Sequence, residues 1–234
     1  MTTEREQQIA RILSHLFWEH MVDPYPTPFE SAEQANRFLV SLISNRGIQW
    51  ERSLIFPDEI LMRSGHNEIL DCCLSLGVDG LIDVISAKPA LHRWITPLSE
   101  AVYLAMRTVQ DTHEGDVRNL WNDRPEGKET QRRLRSFKGI GDKISALGTR
   151  QLALTFGVEL ADGLSSIDVS PDVHVMRVFR RLKLIDDDDP QSVIATAQKL
   201  SKESVTMDGA WVVGMWWCHA SSPSCGTCPL WLYC

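Results

Sequence analysis

The sequence predicts an all-α fold. Two capping-box patterns stand directly ahead of apolar residues spaced three and four apart, which is the period of an amphipathic helix. Nowhere in the 234 residues is there a convincing alternating run of strand type. The apolar stretches between are broken at short intervals by Gly and Pro, so the helices are short and numerous.

The elements follow in order. Thr3-Glu4-Arg5-Glu6 forms a capping box, and Ile9, Ile12, Leu13, Leu16 and Phe17 give the apolar face of a helix of about four turns. His20 to Pro28 holds three prolines and no periodicity, and reads as a linker. Ser31 to Gln34 opens a second helix, with Ala35, Phe38, Leu39, Leu42 and Ile43 inward. Its end, Ser44 to Trp50, is a polar corner containing Arg46. Short helices are then expected around Ile60, Leu70 to Leu76, Leu81 to Ile85 and Ala101 to Val109, broken at Gly65, Gly77, Pro89 and Pro97. Residues 122 to 130 read as a polar loop.

Residues 132 to 144, Arg-Arg-Leu-Arg-Ser-Phe-Lys-Gly-Ile-Gly-Asp-Lys-Ile, read as helix, tight turn, helix. Gly139 and Gly141 flank one apolar residue, so the backbone can take positive φ on either side while Ile140 anchors the turn. Backbone N–H groups at the start of the next helix, where the dipole is positive, suit a phosphate. Residues 131 to 143 hold five basic residues and one acidic, a local +4 in a chain of net charge −7. Phosphate neutralisation would therefore have to be localised, at an edge made by Arg132, Arg133, Arg135 and Lys138. Ile144 to Phe156 continues as helix. A longer connection, Gly157 to Ser170, leads to Asp172 at a helix N-cap, with Val175, Val178 and Phe179 on the apolar face. Asp186 to Asp189 is an acidic run ending at Pro190 and reads as a solvated loop.

At 234 residues the chain fits one large domain or two small ones, and its 43% hydrophobic content is ordinary for a soluble protein. The longest apolar run, Ala210 to Cys218, is too short to span a bilayer, and the N-terminus lacks a signal-peptide pattern. An intracellular, cytoplasmic location without membrane association is expected. Cys72 and Cys73 are adjacent in an apolar helical context, whereas Cys218, Cys225, Cys228 and Cys234 crowd into the last 17 residues. That distribution argues for a metal site over a disulfide framework. Four thiolates at C-x6-C-x2-C-x5-C can hold tetrahedral zinc or an iron–sulfur cluster. The uneven spacing, with one C-x2-C knuckle, suits a cubane wrapped by a single loop better than a zinc ribbon.

Together, the glycine turn, the downstream Asp at a helix start and the C-terminal cysteine loop resemble the endonuclease III group of helix-hairpin-helix (HhH-GPD) DNA glycosylases. The cysteine spacing matches that group's 4Fe-4S loop. Residues 137 to 143, Phe-Lys-Gly-Ile-Gly-Asp-Lys, match its L-P-G-V-G-x-K hairpin with three substitutions, and Pro171-Asp172-Val173-His174 resembles its V-D-T-H or V-D-V-H segment.

The resemblance covers the chain and implies a two-lobed fold. A helical barrel lobe from 30 to 185 would carry the hairpin at about 131 to 156, and an iron–sulfur lobe would join 1–29 to 186–234. It implies a monomer that binds double-stranded DNA in the cleft between the lobes and flips a damaged or mismatched base out of the helix. Lys143 matches the nucleophilic lysine of the bifunctional members, which also cut the strand as lyases, and Asp172 matches the catalytic aspartate. Arg46, Arg135, Lys138, Gly139 and Gly141 would contact DNA, and Cys218, Cys225, Cys228 and Cys234 would hold a 4Fe-4S cluster. Three departures stand out. The 29 residues from Lys143 to Asp172 exceed the family's usual spacing, so either a loop is inserted or Asp168 is the counterpart. His174 and Arg177 following Asp172 favour Asp172. Asp142 replaces a residue that is often basic, and Arg46 falls where many members place a glutamine that fills the gap left by the flipped base. Two rival readings are a monofunctional glycosylase in which Asp172 activates water, and a non-catalytic DNA-binding iron–sulfur protein.

Overall fold

The computed structural model describes residues 2–22, 25–201 and 206–234. Among them there is no strand, and the helices are α1 (Glu4–His20), α2 (Ala32–Ser44), α3 (Trp50–Leu54), α4 (Phe56–Ser64), α5 (Ile69–Ser86), α6 (Ile95–Thr112), α7 (Gly127–Arg135), α8 (Asp142–Leu154), α9 (Val173–Arg181), α10 (Pro190–Leu200) and α11 (Gly209–Trp216). None is long and apolar enough to cross a membrane. Part of the linker expected at 20–28 lies outside the described residues.

The chain forms two compact units. A terminal unit consists of Met1–Pro26, Glu126–Lys128 and Thr149–Cys234, and a central unit of Thr27–Pro125 and Glu129–Gly148. The units divide the chain at other positions than the lobes the resemblance implies, with residues 149–185 in the unit that holds both termini. The cause is apolar packing: Val175, Val178, Phe179 and Leu182 share one core with Ile9, Leu13 and Leu16.

In the central unit, α2 starts as expected, with Ser31 accepting from the Gln34 N–H at 3.3 Å. The Gln34 side chain returns its bond to the Glu30 N–H, one residue further back than a strict capping box requires. Its buried stripe, Phe38, Leu39, Leu42 and Ile43, packs against α4, α5 and α6. The break expected at Gly77 is present: its φ 62° and ψ −170° are not helical and divide α5 into two helical segments. Pro97 sits in the first turn of α6, where its missing N–H costs no helical bond. The hairpin is held to α2 at Gly148, where a Cβ would stand 2.7 Å from Leu42.

In the terminal unit, α1 carries the expected capping box, with Thr3 bonding the Glu6 N–H and Glu6 bonding the Thr3 N–H. Helix α11 packs on both α1 and α9, and two glycines allow the approach. A Cβ at Gly209 would lie 1.9 Å from the Leu13 carbonyl oxygen, and one at Gly214 would lie 2.7 Å from the His174 Cβ. The acidic run does more than face solvent: Asp189 caps α10 by accepting from the Ser192 N–H, and Asp188 pairs with Arg180.

Candidate functional site

The long connection before α9 is built around the start of α7. Asp162 accepts from the Gly127 N–H at 2.8 Å and Ser166 from the Lys128 N–H at 2.9 Å, which satisfies donors that a helix leaves orphaned in its first turn. Asp168 is buried, pairs with the Lys128 ammonium and accepts from the Gln198 amide at 2.6 Å. Arg150 donates to its backbone carbonyl at 3.2 Å. Both carboxylate oxygens of Asp168 are thus engaged in holding the connection together. The Arg150 guanidinium also forms a buried pair with Asp208 at 2.6 Å and lies over the Phe17 ring. Sequence reasoning missed this pair, whose partners are 58 residues apart (208 − 150).

Asp172 has a different environment. Its Oδ1 accepts from the backbone N–H groups of His174 and Val175, both at 2.9 Å, at the N-terminus of α9. No described residue donates a hydrogen bond to Oδ2. One oxygen is thereby fixed by the helix while the other can face a ligand. His174 and Arg177 tie this helix to α11 and the cysteine loop. Arg177 donates to the Cys218 carbonyl at 2.6 Å, to the Gly214 carbonyl at 3.0 Å and contacts the His174 ring nitrogen at 2.9 Å.

Cys218 and Cys228 are buried in the core of the terminal unit, and Cys225 and Cys234 are exposed. Burial pushes the Cys228 thiol up, and Cys234, Cys218 and Cys225 add to the shift. Burial does the same to Cys234, with Cys218 and Cys225 adding. The four sulfurs are near enough to repel one another as thiolates, which is the charge problem a cationic centre relieves. Among the described residues no three His, Cys, Asp or Glu side chains converge as ligands of a single ion do. By donor chemistry alone, four thiols are a ligand set that either zinc or an iron–sulfur cluster can take. Arg181 contacts the Cys218 sulfur at 3.3 Å and the His219 and Ala220 carbonyls, and Arg5 donates to the Tyr233 carbonyl.

In the central unit the hairpin forms as α7, a turn and α8. Ile140 is buried and its N–H donates to the Phe137 carbonyl at 3.1 Å. Gly139 takes φ 94°, but Gly141 does not take a positive φ, so the expectation of two left-handed glycines is half met. At Gly141 a Cβ would meet nothing within 4 Å. Lys143 is exposed in the first turn of α8.

The expected basic edge is neutralised from within. Arg132 pairs with Glu129 at 2.6 Å, Arg133 with Asp123 at 2.6 Å, Arg135 with Asp142 at 2.8 Å and Lys138 with Glu100 at 2.7 Å. Arg132, and then Arg133, hold the Glu129 carboxyl down at about 2.

Arg46 sits beside the turn. Its Nη1 lies 3.8 Å from where a Gly139 Cβ would be, and its guanidinium is 5.2 Å from the centroid of the Trp94 ring. Arg93 is 4.5 Å from the same ring. His92 holds the loop in register: its Nε2 bonds the Arg46 carbonyl at 3.0 Å and its Nδ1 accepts from the Trp94 N–H at 3.0 Å. Those roles need the neutral ring, and burial, aided by Arg93, Arg46 and Arg52, pushes its pKa below the usual value. Arg93 and Trp94 escaped the sequence reading; adjacent Arg and Trp after a proline break is the only sequence signal they leave.

No family model matches the chain, and no curated protein matches it. Solved structures do: the chain has the fold of the helix-hairpin-helix DNA glycosylases. A trapped endonuclease III–DNA covalent intermediate superposes with TM-score 0.68 at 18% identity, over 100% of this chain and 96% of that one. A thermostable thymine-DNA glycosylase gives TM-score 0.60 at 12% identity, over 99% and 95%. The 8-oxoguanine glycosylase/lyase of Clostridium acetobutylicum, bound to DNA, gives TM-score 0.58 at 10% identity, over 89% and 68%.

Proposed function

We propose that this chain is a DNA glycosylase of base excision repair that binds duplex DNA as a monomer, turns a damaged or mismatched base out of the stack and cleaves its glycosidic bond. The observation that carries this reading is Asp172: a carboxylate at a helix N-terminus, one oxygen pinned by two N–H groups, in a chain folded like DNA glycosylases over its whole length. As the glycosidic bond breaks the sugar gains positive charge, and a fixed carboxylate near it lowers that barrier. Asp168 is unsuited to the role, because both its oxygens are bonded within the fold.

Lys143 is assigned the second step. An amine that attacks the anomeric carbon forms a Schiff base, from which β-elimination cuts the strand. Borohydride trapping tests this: wild type should be captured covalently on substrate DNA, and Lys143→Gln should not. Base release without trapping would leave a monofunctional enzyme in which Asp172 activates water.

Cys218, Cys225, Cys228 and Cys234 are proposed to hold a 4Fe-4S cluster, which when bound cross-links the C-terminal loop to the core of the terminal unit. Purified protein is expected to be brown and to contain iron and acid-labile sulfide in equal amounts. Cys228→Ser should lose both and weaken DNA binding. Zinc without iron would refute the assignment.

A further inference from the structure

The pair of Arg150 and Asp208 has no part in the proposed chemistry, yet its side chains keep only 9% and 10% of their exposure. Taking two charges out of water is unfavourable, and such a pair adds little net stability over apolar side chains of similar volume. What this pair holds is backbone. Arg150 Nη2 donates to the Asp168 carbonyl at 3.2 Å as well as to Asp208 Oδ2 at 2.6 Å, and the guanidinium is backed by the Phe17 ring at 5.9 Å. The Asp208 carboxylate also accepts from the Thr206 hydroxyl and from the Ser170 backbone N–H. The segment 168–170 is thus gripped at one carbonyl and one N–H. Its Ser170 carbonyl in turn accepts from the Asp172 N–H at 2.8 Å, and Pro171 between them has φ fixed by its ring.

We propose that Arg150 and Asp208 are positioning residues for base release: acting as one clamp on the backbone of 168–170, they set where the Asp172 carboxylate stands at the start of α9. This deepens the glycosylase reading and rests on it. The two N–H bonds of the cap fix Asp172 against its own helix, but the path of the chain into that helix is set by the segment before it. Val169 anchors that segment in the apolar core, and the clamp holds its polar backbone groups. A carboxylate that stabilises a developing positive charge acts only from the right distance, and a displacement of about 1 Å can cost about 100-fold in rate. Burial pushes the Asp208 carboxyl up while Arg150 opposes that shift, so either partner alone would be an uncompensated buried group.

The test therefore removes both charges together, Arg150→Met with Asp208→Leu, which leaves no buried ion unpaired and so preserves folding. Single-turnover base release is measured with the full chain on duplexes carrying uracil, an oxidised pyrimidine, an oxidised purine or a mismatched thymine, using the one that wild type processes fastest. Anisotropy on a duplex with a tetrahydrofuran abasic analogue gives affinity apart from catalysis. The double variant should release base about 10- to 100-fold more slowly, with affinity unchanged and faster amide hydrogen exchange at Ser170 and Asp172. Added to Asp172→Asn, the same double change should cost nothing further, because it acts only through that carboxylate. Arg150→Lys, which keeps a charge opposite Asp208 but replaces the guanidinium fork by one ammonium, is the second variant and should show a loss likewise confined to intact Asp172. If a folded variant releases base at the wild-type rate, keeps wild-type exchange at Ser170 and Asp172, or loses as much again in the Asp172→Asn background, the inference is overturned while the glycosylase reading stands. It is overturned equally if both variants unfold, since the pair is then needed for folding. If wild type releases no base from any duplex, the glycosylase reading itself is contradicted and the inference falls with it.

Discussion

Asp172→Asn is expected to slow base release by about 10²- to 10³-fold while leaving duplex affinity nearly unchanged. The amide oxygen can still accept from the His174 and Val175 N–H groups, so the cap of α9 survives. What disappears is the negative charge facing the developing oxocarbenium ion. Single-turnover rates on one substrate, with anisotropy titration beside them, separate these quantities. Asp168→Asn should behave in the opposite sense. It removes the charge of the buried Asp168 carboxylate that pairs with the half-exposed Lys128 and should lower stability, leaving the chemical step in the folded fraction intact. If Asp168→Asn folded normally and were inactive while Asp172→Asn remained active, the two aspartates would have to exchange roles.

Gly209→Ala should produce the largest loss of stability of any single methyl added to the terminal unit. The new Cβ would stand 1.9 Å from the Leu13 carbonyl oxygen and 2.7 Å from its carbon, so it meets backbone with no flexible side chain to move aside. Relief requires α1 to shift from α11, and both helices line the core that contains Phe179, Cys218 and Cys228. Overpacking of this kind costs about 3 kcal/mol or more, which urea unfolding would register as a lowered midpoint. Gly226→Ala is the control. It lies between two of the cysteines and a Cβ there would meet nothing within 4 Å. An unchanged midpoint for Gly209→Ala would mean that α1 and α11 do not cross as closely as described.

What was legible in the sequence was local. The faces of α1 and α2 repeat every three to four residues and their caps lie three residues apart, so each element could be read from its own window. The glycine turn and the cysteine spacing were legible for the same reason. The connection before α9 was not, because Asp162, Ser166 and Asp168 are bonded to residues 35 to 40 positions earlier. The carboxylates paired with the basic edge at 132–138 were not legible for a related reason: they include Glu100, 38 residues from Lys138. The cations at Arg46 and Arg93 become visible as one cluster only when the loop closed by His92 brings them to Trp94.

The central claim is that this chain releases a base from DNA by means of Asp172. The most direct measurement incubates the protein with duplexes carrying a panel of damaged and mismatched bases and quantifies free base, wild type beside Asp172→Asn. The account predicts release of at least one base by wild type and its near loss in the variant. Equal release by both proteins would contradict the role of Asp172, and no release from any duplex despite firm binding would contradict the glycosylase assignment and favour a non-catalytic DNA-binding protein.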